Sequence, residues 1–494
     1  MRLGAVPAAA GGADVCVWAP NATSVSARGQ TLEPAGDGFF AATLPLRPGE
    51  DYRFTLDGVR EFADPCSREQ PGGLRGPSRV LDTGAFAWSA DPVVVPLGEL
   101  VVYELHVGTF TPEGTFDAAI PRLDALAELG VTAIELMPVA TFPGERGWGY
   151  DGVLTSAPHR AYGGPHALAR FVDAAHARGL AVILDVVYNH VGPGSELAAF
   201  GSYFTDRFDT FWGDALDYSR RGVREWAIQN AELWVRDYRI DGLRLDATHA
   251  IFDESQPHVM VELAERVRAA HRGALVIAEM AIGDRRPLED WGDDAQWADE
   301  FHHALHVLLT GEHDGYYEGF GTVAHLARPF DDDERLVVYA QNHDQVGNRA
   351  RGDRLPPEAR RLAAACVLFA PQIPLLFMGE EYGETAPFQF FTDHDDPAVA
   401  EATREGRKQE FAKFDAFRGE VPDPQDPVTF QRSKLHPEAG DDELRAFYAE
   451  LISLRRSLPP EADTDADESR RVLRVRRGER ELVADFAGLT AEIR

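Results

Sequence analysis

The sequence predicts an α/β protein built on a (β/α)8 TIM barrel, with an N-terminal β-sandwich domain and a short C-terminal β segment. Three observations carry this prediction. They are short alternating runs near the N-terminus, apolar runs that alternate with helical patterns from Leu100 to about Met378, and polar residues at the ends of several apolar runs. The 494 residues suffice for such a barrel and two smaller units. We therefore divide the chain into residues 1–95, 96–430 and 431–494.

The first of these units has the pattern of a small all-β module. Between Val15 and about Val95, turn residues separate the short runs VCVWAP, TSVSARG, GFFAATLPL and YRFTLDG. Strands at this spacing are typical of a sandwich. The proline- and glycine-rich stretch from Pro65 to Pro77 then indicates an ordered connection that lies against a larger unit.

The middle of the chain has the alternation of a parallel barrel. Seven apolar runs are candidate strands, and WADEFHHALHVLL supplies an eighth strand end that runs into a helix. The seven runs are LVVYELHV, VTAIELMPV, LAVILDVVYNH, IDGLRLD, ALVIAEM, RLVVYAQNHD and IPLLFMGEE. A doubly wound open sheet is the alternative fold. However, no GxGxxG follows any strand, and the polar residues lie at too many strand ends for one switch point.

The C-terminal part is predicted to hold two helices and a short β segment. The helical segments are EATREGRKQEFAKF and ELRAFYAELISLRR. The polar run from Glu461 to Glu468 predicts a linker, and VLRVRRGERELVADFAG predicts two or three strands. Such a segment is too short for a core of its own.

The composition limits the classes of partner. The chain has 49 basic and 81 acidic residues, a net charge of -32, which opposes binding to nucleic acid or anionic lipid and favours a neutral or cationic substrate. We find no run of eighteen apolar residues and no signal pattern, so we expect a cytoplasmic protein without a membrane partner. The cysteines Cys16, Cys66 and Cys366 are odd in number and widely spaced, and they form no metal-ligand pattern.

Polar residues at the ends of the candidate strands point to chemistry at one mouth of the barrel, where the carboxyl ends of parallel strands meet. They are Tyr150 and Asp151 in WGYDG, Asp185, Asn189 and His190 in DVVYNH, Arg244 and Asp246 in GLRLD, Glu279 in VIAEM, and His343 and Asp344 in QNHDQ. Glycosidic bond cleavage requires one carboxylate at the sugar and one carboxylic acid at the leaving oxygen. The three carboxylates Asp246, Glu279 and Asp344 fit this requirement.

Each of these residues taken alone has a simpler structural explanation. Arg244 and Asp246 lie two positions apart, so their side chains share one face of a strand and form a salt bridge with or without a catalytic role. Asp185, His190 or His343 alone is more often a satisfied polar group. Their joint occurrence at strand ends favours the catalytic interpretation, with Asp185 in a supporting role.

Four runs resemble the signature regions of the α-amylase superfamily of retaining glycoside hydrolases, namely DVVYNH, GLRLDATH, the glutamate of VIAEM, and QNHD. Longer runs, among them YELHVGTFTPEGTFDAAI and LLFMGEEYGETAPFQFFTDH, are similar to those members that release trehalose from trehalose-capped malto-oligosaccharides. This similarity covers nearly the whole chain. It implies a malto-oligosyltrehalose or a related α-glucan as the substrate, with no cofactor and no metal.

The resemblance also implies roles for individual residues. Asp246 is the nucleophile, Glu279 is the general acid and then the base, and Asp344 binds hydroxyls of the sugar in the cleavage subsite. The implied substrate-binding residues are Tyr150, Asp151, His190, Arg244, His343, Trp148 and Trp212. We expect Arg244 to keep Asp246 ionised, and the negative groups around Glu279 to favour its protonated form. The two carboxyl groups of the retaining pair are expected about 5 to 5.5 Å apart.

Several other readings remain open at this point. His302 and His306 have the spacing of a metal pair, but without an evident third acidic ligand they are expected to pack within a helix. Met280 replaces a polar residue that is common in relatives, and this puts the shape of the leaving-group subsite in question. A glycogen branching or debranching enzyme, or a general α-amylase, is the functional alternative. A non-catalytic glucan-binding protein would be expected to lack one of the three carboxylates, and all three are present.

Overall fold

The protein is described here by a computed structural model that covers residues 1–210, 212–330, 332–411 and 421–494. Its centre is a closed barrel of eight parallel strands, in which each strand pairs with the next and the last pairs with the first. The strands are β1 (Val102–Leu105), β2 (Ala133–Leu136), β3 (Ala181–Val186), β4 (Gly242–Leu245), β5 (Leu275–Ala278), β6 (Ala295–Trp297), β7 (Leu336–Tyr339) and β8 (Ile373–Phe377). The closed order confirms the predicted barrel and excludes the open sheet.

The interior of the barrel contains an apolar layer and, above it, a layer of charged residues. The lower part is apolar and includes Val102, Ala133, Ile183, Ile277, Val337 and Ile373. Because side chains alternate along a strand, residues two positions later also point inward. Those later positions include Glu104, Glu135, Asp185 and Arg244, each at most 2% exposed, and we call these four residues the charged layer. The layer lies directly below the mouth formed by the C-terminal strand ends.

Gly242 at the start of β4 lets large neighbours fill the barrel. A Cβ atom at this position would lie 3.1 Å from Cβ of Leu275 and 3.3 Å from Cγ1 of Ile183. These contacts are tighter than ordinary packing, so the glycine makes room for the side chains of the adjacent strands.

Helices surround the barrel and cover parts of its mouth. Their bounds are Val107–Phe110, Phe116–Ala119, Leu123–Leu129, Gly164–His176, Leu197–Phe200, Arg221–Asp237, Val259–Ala270, Asp299–Thr310, Val323–Phe330, His343–Gly347, Pro357–Phe369, Pro397–Phe411, Pro427–Arg432 and Asp442–Arg455. The helix Asp299–Thr310 follows β6 directly, as predicted. The last three residues of the predicted helix EATREGRKQEFAKF lie outside the described residues. In the described ranges, no helix is long and apolar enough to cross a membrane.

The N-terminal part forms an antiparallel sheet of seven strands that docks on the barrel. The strands are Gly4–Pro7, Ala13–Trp18, Val25–Ala27, Gln30–Gly36, Phe39–Leu44, Phe54–Leu56 and Arg60–Phe62. Trp18 makes one of the contacts between the two parts, since its ring lies edge-on to Tyr203 in the connection after β3, with centroids 4.9 Å apart. It also packs so closely on Gly222 that a Cβ there would lie 1.9 Å from the indole. The predicted all-β module is confirmed.

Smaller strand pairs lie in the connections. Their members are Asp51–Tyr52 with Ser78–Arg79, Ala140–Thr141 with Leu154–Pro158, and Phe204–Thr210 with Gly213–Leu216. The last pair is a hairpin that follows β3 and carries Trp212 in its turn.

The C-terminal segment forms a four-stranded antiparallel sheet, which is larger than predicted. Its strands are Asp463–Asp467, Val472–Arg477, Arg480–Asp485 and Thr490–Ile493. The first strand occupies the run from Glu461 to Glu468, so the prediction of a linker there was wrong. The reason is cross-strand charge pairing, because Asp463 lies opposite Arg476 and Asp465 lies opposite Arg474.

Candidate active site

The predicted site residues come together at the C-terminal mouth of the barrel. Asp246 directly follows β4, Glu279 directly follows β5, and Asp344 is the second residue of the helix after β7. Because the strands are parallel, their ends place these three carboxylates on the same rim. Their side chains are 10%, 18% and 31% exposed, respectively, so each is open to a ligand from above.

Arg244 in the charged layer holds the carboxylates together from below. Its Nη1 donates to Asp185 at 2.7 Å and to Asp246 at 2.9 Å, and its Nη2 donates to Glu279 at 2.9 Å. The guanidinium also lies 4.2 Å from the ring centroid of Trp297, a cation–π contact. Arg244 is fully buried. The structure places this predicted substrate-binding residue below the carboxylates that it contacts, and its contact with substrate stays a prediction.

The surroundings of Glu279 also differ from the sequence-based expectation. That expectation gave Arg244 to Asp246 alone and placed Glu279 among negative groups. In the structure, Oε2 of Glu279 accepts hydrogen bonds from Arg244 and, at 2.7 Å, from the backbone N–H of Ala247. Both contacts fall on one oxygen, which leaves Oε1 directed away from them. One arginine thus orients both members of the proposed catalytic pair.

The backbone after Asp246 takes an unusual conformation that makes the second contact. Ala247 has φ 41° and ψ 52°, in the left-handed region that costs a non-glycine residue about 1 kcal/mol. This turn aims its N–H at Glu279 on the neighbouring strand. On the other side, Nδ2 of Asn189 donates to Oδ2 of Asp246 at 2.7 Å. Both oxygens of Asp246 are therefore held in place.

His343 links Glu104 of the charged layer to Tyr150 at the mouth of the barrel. Its backbone N–H donates to Glu104 at 2.8 Å, and its Nδ1 pairs with the other oxygen of Glu104. Its Nε2 lies 2.7 Å from the hydroxyl of Tyr150, which donates to Asp185 at 2.6 Å. Burial alone would lower the pKa of His343, but the carboxylates of Asp344 and Glu104 outweigh burial and raise this pKa to about 10. His343 is accordingly a cation near neutral pH.

His190 and Trp212 form an aromatic face beside Tyr150. Their rings are parallel, with centroids 4.1 Å apart and 3° between the planes. Nε2 of His190 is fixed by the carbonyl of Tyr150 at 2.9 Å. Trp212 is 48% exposed, so its indole is accessible to a ligand. Asp151 lies nearby, with Oδ2 3.7 Å from Nε2 of His394, and burial raises the pKa of Asp151.

Trp148 does not have the open face that a stacking role requires. It is 4% exposed, its ring stacks on Phe388 at 5.1 Å, and its Nε1 donates to the carbonyl of Gln389 at 3.0 Å. It meets His343 edge-on with centroids 5.8 Å apart. Trp148 therefore packs behind His343, and its sugar-stacking role stays a prediction.

Asp299 is a fourth acidic residue at the site that the sequence interpretation missed. It accepts hydrogen bonds from the hydroxyl of Tyr339 at 2.5 Å and from Nε2 of Gln345 at 3.1 Å. Burial first, and then the negative charge of Glu279, raise the pKa of Asp299 to about 7. The available signal was an acidic residue two positions after β6, in the run WADEF that predicts a strand end running into a helix.

The two histidines with metal-like spacing pack as expected for a helix. Nδ1 of His302 lies 2.8 Å from the carbonyl of Ala340, and Nε2 of His306 lies 2.9 Å from Glu312. Met280 is buried and its sulfur lies 3.3 Å from the hydroxyl of Thr248. Met280 therefore packs under the rim.

Comparisons with known proteins place this site in context. A family model described as "Alpha amylase, catalytic domain" matches residues 77–212. The malto-oligosyltrehalose trehalohydrolase of Arthrobacter ramosus is 46% identical over 524 aligned residues, covering 94% of this chain and 91% of the relative. The protein of that name from Saccharolobus solfataricus is 42% identical, covering 89% and 84%. A crystal structure of an alpha amylase candidate from Salmonella typhimurium has a TM-score of 0.89 at 39% identity, covering 98% and 93%.

Proposed function

Because this chain belongs to the malto-oligosyltrehalose trehalohydrolase family of the α-amylase superfamily, we infer that it is a retaining glycosidase. It hydrolyses the α-1,4-glucosidic bond next to the terminal trehalose of a malto-oligosyltrehalose and releases trehalose. The observation that carries this inference is the 46% identity to the Arthrobacter ramosus protein over 94% of the chain. We further propose that the protein works in the cytoplasm. We also propose that its domains comprise residues 1–95, 96–430 and 431–494.

In the first chemical step, we propose that Asp246 is the nucleophile. One of its oxygens bonds to the anomeric carbon while the bond to the leaving trehalose oxygen breaks. This proposal is supported by two hydrogen bonds, because Arg244 and Asn189 each bind one oxygen of Asp246. Together they fix the orientation of the carboxylate.

Glu279 is proposed to protonate the leaving oxygen in that step. Arg244 and the N–H of Ala247 both contact Oε2, so Oε1 is the oxygen proposed to carry the proton. In the second step, Glu279 takes a proton from water, the water oxygen attacks the anomeric carbon, and Asp246 leaves. Two displacements at one carbon give retention. The expected separation of 5 to 5.5 Å between the carboxyl groups stays a prediction.

The remaining rim residues are proposed to bind the sugar at the cleaved bond. Asp344 would accept hydrogen bonds from two sugar hydroxyls, and His343, whose ring nitrogens contact Glu104 and Tyr150, would hold the Tyr150 hydroxyl in place beside them. Tyr150, His190 and Trp212 form the aromatic side of the same subsite. Asp151 is proposed to contact the sugar from the loop before His190.

The test compares trehalose-capped and uncapped malto-oligosaccharides with equal numbers of glucose units. We expect kcat/KM for the capped substrate to be at least about 100-fold higher, because a site that hydrogen-bonds one end of a ligand strongly rejects a ligand without that end. Equal rates would assign the protein as a general α-amylase. Loss of iodine staining of amylose without new reducing ends would assign it as a branching enzyme.

A further inference from the structure

Two glutamates face each other in the charged layer, but their surroundings differ. Glu104 on β1 is the register partner of Glu135 on β2, and each is 1% exposed. Both oxygens of Glu104 are bonded by His343. Among the described residues, neither oxygen of Glu135 has a hydrogen-bond partner. The same side chain at the same height in the barrel is paired in one strand and unpaired in the next.

Two cationic side chains lie near Glu135, but neither donates a hydrogen bond to it. They are Glu104 from β1, Asp185 from β3, Arg244 from β4 and His343 from the helix after β7. The terminal nitrogens of Arg244 serve other carboxylates, and its Nε, although buried, makes no hydrogen bond to Glu135. The ring nitrogens of His343 serve Glu104 and Tyr150. Burial, reinforced by the charges of Glu104 and Asp185, raises the pKa of Glu135 well above its ordinary value.

We propose that Glu135 is a positioning residue which the folded protein holds as a neutral carboxylic acid, so that Arg244 stays available to Asp246 and Glu279. An ionised Glu135 would be a further carboxylate in the charged layer. It would compete for the guanidinium that orients the catalytic pair and for the imidazolium of His343. The proton on Glu135 prevents this competition. This inference concerns the folded protein itself and goes beyond the proposed function.

The test is the pH dependence of thermal stability for Glu135→Gln, with Glu104→Gln as the matched control. In the unfolded chain Glu135 ionises around its ordinary pKa of 4.5, whereas the folded protein keeps the proton. Folding must then take up a proton above that pH, so Glu135 makes the wild type lose stability with rising pH, and the glutamine variant lacks this contribution. The Tm of Glu135→Gln minus that of wild type should be positive and grow by roughly 1 to 2 °C per pH unit between pH 5 and 8. Glu104→Gln, which replaces one of the two oxygens that contact His343, should have a lower Tm than wild type.

A Tm difference for Glu135→Gln that is negative, or constant with pH, would overturn the proposal. The kinetic readout is the pH profile of kcat/KM. Glu135→Gln keeps both shape and neutrality, so we expect a loss below about threefold near pH 7, against more than about tenfold for Glu104→Gln. Equal losses in the two variants would mean that the ionised form of Glu135 is required, which also contradicts the proposal. The Tm series needs no substrate, so it stands or falls separately from the proposed function.

Discussion

The charged layer lies on strands β1 to β4 and the rim carboxylates follow β4, β5 and β7, yet the environments of the two sets are opposite. The layer, made of Glu104, Glu135, Asp185 and Arg244, is at most 2% exposed, and its paired members bond protein groups. The rim carboxylates Asp246, Glu279 and Asp344 are 10% to 31% exposed at their side chains. Arg244 on β4 and Asp246 directly after β4 lie only two positions apart, so a short step along the chain separates a group that fixes geometry from a group that can meet a substrate.

This difference in exposure predicts how substitutions in each region affect stability and turnover. A buried charge that loses its partner destabilises the fold, because the remaining charge stays desolvated. A rim carboxylate that loses its charge remains solvated, so chemistry suffers and the fold does not. Stability and turnover should therefore respond together at the ion-paired positions of the layer and separately on the rim.

The largest effect on turnover is expected for Asp246→Asn. The amide keeps the shape but removes the nucleophile, so kcat should fall about 10⁴-fold or more. Binding of the capped substrate and Tm should stay close to wild type, which calorimetry can measure. A variant with normal kcat would remove Asp246 from the nucleophile position, and a large drop in Tm would erase the contrast between rim and layer.

Arg244→Lys should damage both properties. Lysine retains the charge but lacks the fork that contacts Asp185, Asp246 and Glu279 at once. We expect kcat/KM to fall about 10²- to 10³-fold, and the free energy of unfolding to fall by about 3 to 5 kcal/mol. The control Arg236→Lys, on a partly exposed helix position, should change stability by less than about 0.5 kcal/mol. A kinetic loss without any loss of stability would contradict the orienting role of Arg244.

His343 should give a pH signature in stability. Its folded pKa of about 10 exceeds the ordinary value of 6.5, so its ion pair stabilises the fold fully below pH 6.5. This stabilisation is then lost as pH rises toward 10, by about 1.4 kcal/mol per pH unit. Denaturant titrations of His343→Gln should lack this contribution to the slope, whereas the exposed His313→Gln should retain it. Parallel slopes in wild type and His343→Gln would show that the imidazole is not held as a cation.

The smallest effect separates the two tryptophans. Trp212→Ala removes an exposed ring, so KM should rise about two- to tenfold with little change in Tm. Trp148→Ala empties a buried position and should destabilise the fold by about 3 to 5 kcal/mol. Steady-state kinetics and thermal melts distinguish these outcomes, and a reversed pattern would exchange the two assignments.

The sequence was sufficient to predict the barrel and to bring Asp246, Glu279 and Asp344 to one mouth. The reason is geometric, since parallel strands place every residue after a strand end on the same side. Asp299 follows β6 by the same rule, and it was missed because its strand has only three residues.

Other features depend on contacts that are distant in the sequence. Trp148 on its loop looked like a sugar platform, but Phe388, 240 positions away, covers one face. The sequence pattern predicts that Arg244 binds substrate, whereas in the structure its terminal nitrogens contact three carboxylates. The contrast between Glu104 and Glu135 is likewise decided by His343, which approaches only one of them. Local pattern does not encode which of two similar glutamates receives a partner.

The most direct test of the account is to trap the glycosyl-enzyme. Glu279→Gln should still accept an activated substrate such as a malto-oligosyl fluoride, because fluoride leaves without an acid, but it should turn over the intermediate slowly. Mass spectrometry of the quenched, digested protein is predicted to find the sugar on the peptide that contains Asp246. A sugar attached at Asp344 instead, or no adduct under conditions where fluoride is released in a burst, would contradict the proposed assignment of the nucleophile.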